Sequence, residues 1–92
     1  MQYCQSYIDA VAEVFDQAVA TATDDELFAG GYLRGHFDLA VGGLLVAAEP
    51  FTTNDIQQRV DASVADAIAR GELNEADTTL VLQLWQQLKQ LA

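Results

Sequence analysis

Asp24-Asp25-Glu26-Leu27-Phe28-Ala29-Gly30-Gly31-Tyr32-Leu33-Arg34-Gly35-His36-Phe37, followed shortly by Gly42-Gly43, is the stretch on which the fold turns. Its entry is marked by Thr23 with Glu26 three residues on, the spacing of a capping box. Asp24, Asp25 and Glu26 suit the positive end of a helix dipole. Pro50 disfavours helical geometry at Glu49. A helix over 24–48 is therefore predicted. Glycine costs roughly 1 kcal/mol against alanine inside a helix, so the Gly30-Gly31 and Gly42-Gly43 pairs are where a kink or break is expected.

At about 100° per residue, Gly31, Gly35 and Gly42 fall within roughly 40° of one another. Phe28, Leu39 and Val46 flank them. Such a strip lets another backbone or a large ring approach closely. Flush packing against a neighbouring helix is the leading expectation, with a ligand or peptide groove and a hinge as the alternatives. Leu33, Phe37, Ala40 and Leu44 fill another side, so apolar residues cover most of the circumference and the helix is expected to be buried. Arg34 and Asp38 are spaced to pair. Tyr32 and His36, also four apart, share a different edge.

Outward from this segment the pattern stays helical. Tyr3, Cys4, Tyr7, Ile8, Val11, Val14, Phe15, Ala18, Val19 and Ala22 recur at helical spacing, predicting a first helix over 3–21. Asp9, Glu13 and Asp16 lie on its opposite face. Their arrangement is that of a solvated helix surface rather than catalytic carboxylates. A third helix, capped by Thr53 or Asn54, is predicted over 54–70, on the stripe Ile56, Val60, Ser63, Val64, Ala67 and Ile68. Gly71 stops it. Asn74, with Asp77 three on, opens a fourth helix over 75–91 whose apolar face is Leu80, Val81, Leu84, Trp85, Leu88 and Leu91. Gln83, Gln86, Gln87 and Gln90 cover most of the rest. The expected fold is all-α: a small antiparallel bundle of four helices in a single domain, 1–92.

Composition narrows the function. Fourteen acids face four bases, Arg34, Arg59, Arg70 and Lys89, for a formal charge of -10. Such a chain repels nucleic acid and anionic membranes alike. No apolar run approaches the ~20 residues of a membrane span, and no secretory leader is visible. The single cysteine, Cys4, falls on the apolar stripe and reads as a core residue. One histidine and one cysteine do not make a zinc site. Phosphate-loop, calcium-loop and Glu-x-x-His patterns are absent. No metal and no cofactor are expected. A helix-turn-helix reading of the last two helices fails on charge, because the would-be recognition helix has Lys89 as its only base.

The segment from Asp24 to His36 resembles the signature of the YfcL family, small acidic proteins of gamma-proteobacteria. Gly71-Glu72-Leu73, the acidic start of the next helix and Trp85 resemble the family's C-terminal half. The likeness covers most of the chain. It departs at Gly30, where a small polar residue is expected. It implies a bacterial cytoplasmic protein. The family brings no activity with it, so no site residue is carried over.

The residues point to a non-enzymatic helical module that binds a protein partner or a second copy of itself. Leu82, opposite the core stripe of the fourth helix, and Gln86 beside it are the expected contact, within a lightly charged surface. The alternative is a protein binding a small anionic molecule. Arg34 would then hold the anion, Tyr32 would offer a stacking face, and His36 would stand beside the Gly31 and Gly35 groove. Acidic mimicry of nucleic acid would need clustered acids, and these are spread over all four helices.

Overall fold

The computed structural model describes residues 4–92, so Tyr3 lies outside the described residues. Four helices follow one another: α1 (Gln5–Ala18), α2 (Asp24–Val46), α3 (Thr53–Ala69) and α4 (Glu75–Lys89). Among the described residues there is no strand. The fold is the all-α bundle that the periodicities predict.

Three of the four helix starts are built by side chains that satisfy orphan N–H groups. Thr23 accepts from the Glu26 amide, and Glu26 Oε1 accepts from the Thr23 amide at 2.8 Å. Asn74 Oδ1 accepts from the Asp77 amide at 2.7 Å. The cap of α3 is Thr52, one residue before the expected Thr53 or Asn54. Thr52 and Asp55 form a reciprocal capping box, because Asp55 stands at the third helical position from Thr52.

Helix ends follow local chemistry too. Gly71 takes φ 76° behind α3, as a left-handed C-terminal stop requires. Ala48 takes φ 57° behind α2 and turns the chain toward Pro50. The first helix is shorter than expected, ending at Ala18 rather than near residue 21. Thr23 must be extended to cap α2, so residues 19–22 are spent on the turn. No break occurs in α2, which runs 23 residues through all five glycines.

The core lies among all four helices. Tyr7, Val11 and Phe15 come from α1, and Ala29, Leu33, Phe37 and Ala40 from α2. Ile56, Val60 and Val64 come from α3, and Val81, Trp85 and Leu88 from α4. Phe37 is central, meeting Tyr7 and Trp85 edge to face at 6.0 and 6.4 Å between ring centroids. Cys4 is fully buried, and its Sγ–H donates to the Phe51 carbonyl at 3.4 Å. Leu91, assigned to the apolar face of the last helix, is exposed, since α4 ends at Lys89.

Candidate functional site

The glycine-bearing face of α2 overturns the packing expectation. A Cβ built on Gly30, Gly31, Gly35 or Gly42 would meet no heavy atom within 4 Å beyond its own helical surroundings. Only at Gly43 is there a close neighbour, with Arg59 Nη1 2.9 Å from the Cβ position. Nor is α2 buried all round. Phe28, Leu45, Leu39 and Val46 are 48, 59, 78 and 86% exposed. The core takes only the side centred on Leu33 and Phe37, where α3 and α4 pack most closely. The opposite side has no packed neighbour among the described residues.

The named candidates divide between the two edges of this face. On the α3 side, Phe28, Tyr32 and His36 meet at successive turns, the first pair stacked at 6.0 Å between centroids and the second tilted by 52° at 4.8 Å. The Tyr32 hydroxyl donates to Glu72 Oε1 at 2.8 Å. His36 Nδ1 is hydrogen-bonded to Ser63 Oγ. Burial raises the Tyr32 pKa, and the Glu72 carboxylate raises it further. On the α1 side, the Arg34 guanidinium lies 5.6 Å from the Phe15 ring centroid and pairs with Asp16 at 3.1 Å. Its contact with Asp38 is looser, at 3.9 Å. Arg34 therefore does not converge with Tyr32 and His36. Helical spacing alone puts Arg34 on a different edge from the other two.

Gly31 and Arg34 instead help line a cleft of about 520 Å³ between α1, the start of α2 and α4. Phe15, Ala18, Leu27, Gly30, Leu80 and Leu84 supply its apolar wall. Nothing in the sequence pattern marked this cleft, because it depends on how far apart α1 and α4 sit. Gly35 lies outside it. Leu82 is 41% exposed on α4, with Gln86 exposed nearby. The flanking exposed residues there are polar, so Leu82 is isolated.

Three of the four bases are in ion pairs. Arg34 is described above, Arg70 pairs with Asp66 and Glu72 at 3.1 and 3.2 Å, and Lys89 pairs with Asp61 at 3.2 Å. Arg59 makes no ion pair among the described residues, and it lies exposed beside Gly43. No group of three or more His, Cys, Asp or Glu side chains is placed to hold a metal among the described residues. No described helix is long and apolar enough to cross a membrane.

The molecule is thus a small all-α protein with one helix face left open. The YfcL protein family matches it over residues 5–90, and the chain belongs to that family. A relative from Escherichia coli (strain K12), "Uncharacterized protein YfcL", is 39% identical over 82 residues, covering 89% of this chain and 88% of its own. No solved structure matches it significantly.

Proposed function

We propose that this protein is a non-enzymatic interaction module that docks a protein partner on the open face of α2. The observation that carries the proposal is the pairing of three exposed large apolar side chains, Phe28, Leu39 and Val46, with unpacked glycines along one face of α2. Each glycine costs roughly 1 kcal/mol relative to alanine, and at Gly31, Gly35 and Gly42 no packing among the described residues accounts for it. A face kept smooth and apolar at the expense of stability fits a surface with a second role. Leu82 and Gln86 offer less, a single apolar side chain among polar neighbours. The working place in this reading is the bacterial cytoplasm, where a lone thiol such as Cys4 stays reduced.

A photo-crosslinking residue placed at Leu39 tests the proposal in cells. The expected result is a discrete protein adduct from position 39 and none from Gln58, an exposed control on α3. Equal background labelling at both positions would remove the support.

A second reading rests on the cleft. Its volume falls within the range of small-molecule sites, and Arg34 would face an anionic group there. Octanoate, a carboxylate with an apolar tail, is a suitable probe. Amide shifts confined to Gly30, Gly31 and Arg34 would support the reading, and none at millimolar octanoate would end it. Tyr32 and His36, away from the cleft, take no part.

A further inference from the structure

Resting on the docking face just proposed, we infer that its occupant is a second copy of this chain, bound by antiparallel apposition of the two α2 helices about a twofold axis. Phe28, Gly35, Leu39, Gly42 and Val46 fall within about 40° of one line along α2, at 100° per residue. The line spans about 27 Å at 1.5 Å per residue. Its large and absent side chains alternate so as to complement their own reversal. When a copy is turned end for end about a point level with Phe37, Leu39 stands level with the second copy's Gly35. Leu39 then enters the hollow that the second copy's Gly31 and Gly35 leave open. Phe28 meets the second copy's Val46. A closed twofold pair needs this kind of self-complementary patch.

The charges agree with the same register. Along the α3 edge, Arg59 sits at the level of Gly43 and has no ion-pair partner among the described residues. On the same edge the Glu72 carboxylate accepts from the Tyr32 hydroxyl at 2.8 Å and pairs with Arg70 at 3.2 Å. Reversal brings the Gly43 level to within one residue, about 1.5 Å, of the second copy's Tyr32 level. In an antiparallel pair each edge faces its own counterpart, so Arg59 faces the second copy's Glu72, twice by symmetry. On the other edge Asp38 approaches its counterpart, but each is within 3.9 Å of an Arg34. The seam itself carries no charged side chain, so two chains of charge -10 can meet there without opposing acids in the contact.

Size sets the strength. A strip of about 27 Å by 10 Å, one helix wide, is smaller than the ~800 Å² per partner of a standard interface. The pair is therefore weak and concentration-dependent.

Sedimentation equilibrium from about 10 μM to 1 mM tests it. The mass is expected to rise from 10.0 kDa toward twice that value, and Leu39→Glu to stay monomeric with an unchanged helical spectrum. Arg59→Glu is expected to weaken association about 10-fold, and Arg59→Glu with Glu72→Arg to restore it to within about 3-fold, as a direct charge pair requires. Phe28→Cys mixed with Val46→Cys is expected to form a disulfide pair that neither variant forms alone. Crosslinking of each variant with itself would mean a parallel pair and overturn the register. A wild-type monomer at 1 mM, or dimerisation of Leu39→Glu equal to wild type, would overturn the inference outright. If the chain stays monomeric while the crosslinker at position 39 captures a different protein, the docking face stands and the second copy does not.

Discussion

Trp85 shows how one residue ties two helices. Its indole N–H donates to Asp61 Oδ1 at 2.6 Å, and Lys89 Nζ reaches the same carboxylate while lying 5.9 Å from the indole ring centroid. The ring is 2% exposed, so its polar atom needs this partner. Trp85→Phe keeps an aromatic in the core but removes the donor and part of the packing volume. The expected loss is about 1–2 kcal/mol, the range for a hydrogen bond to a charged group softened by the exposure of Asp61. Urea unfolding reads it directly, and an unchanged midpoint would show that the bond contributes nothing. Arg34→Ala should cost less than about 1 kcal/mol, because its carboxylate partners are well exposed. The two substitutions look alike on paper, as each removes a partner of an aspartate. Burial separates them.

At the scale of one element, α2 carries more glycine than its own stability favours. Gly31→Ala and Gly42→Ala should each stabilise the monomer by about 0.5–1 kcal/mol, since alanine adopts the helical backbone at both positions and finds open space. Thermal melts should show two rises, and a fall at either position would mean that the glycine packs against something after all. Gly43→Ala should gain less, because Arg59 Nη1 must first move away. Thr52→Ala removes the hydroxyl cap of α3 and should cost about 1 kcal/mol. The same helix marks what could be read from sequence. Caps, stops and stripes rest on neighbours three or four residues away, so α2, α3 and α4 were legible from Thr23, Gly71 and Asn74. The wheel also put Gly31, Gly35 and Gly42 on one strip. It could not say that the strip faces outward, because that depends on which helices are left to cover it. Once Leu33 and Phe37 take α3 and α4, and Arg34 faces α1, no element remains for Leu39. The site was half legible for the same reason. The contact of Tyr32 with His36 follows from their spacing, whereas the bonds of Tyr32 to Glu72 and of Arg34 to Asp16 cross long stretches of chain.

Across the whole molecule, Tyr7 stands where three helices are joined through the Gln57 amide. It is buried on α1, and Gln57 of α3 donates to its hydroxyl at 3.2 Å and to the Lys89 carbonyl of α4 at 3.1 Å. Burial raises the Tyr7 pKa above 10.0, outweighing the Gln57 hydrogen bond that lowers it, and Asp61 raises it further. Tyr32 is raised in the same direction. A group whose folded pKa exceeds its unfolded value contributes stability that is complete below the unfolded pKa, about 10 for tyrosine. That contribution is lost as pH climbs through the folded value. The fold should therefore keep this contribution whole from neutral pH to about pH 10 and lose it above, as buried phenols must ionise. Urea midpoints measured from pH 8 to 12 test the sign, with tyrosinate absorbance recorded in parallel. Tyr7→Phe cannot ionise there, so its midpoint at neutral pH should fall modestly while its alkaline decline becomes shallower than wild type. Tyr32→Phe should flatten the decline less, since that phenol is nearer solvent. An alkaline decline of equal slope in wild type and Tyr7→Phe would assign it to the general charge of an acidic chain. A shallower one places it at the junction of α1, α3 and α4.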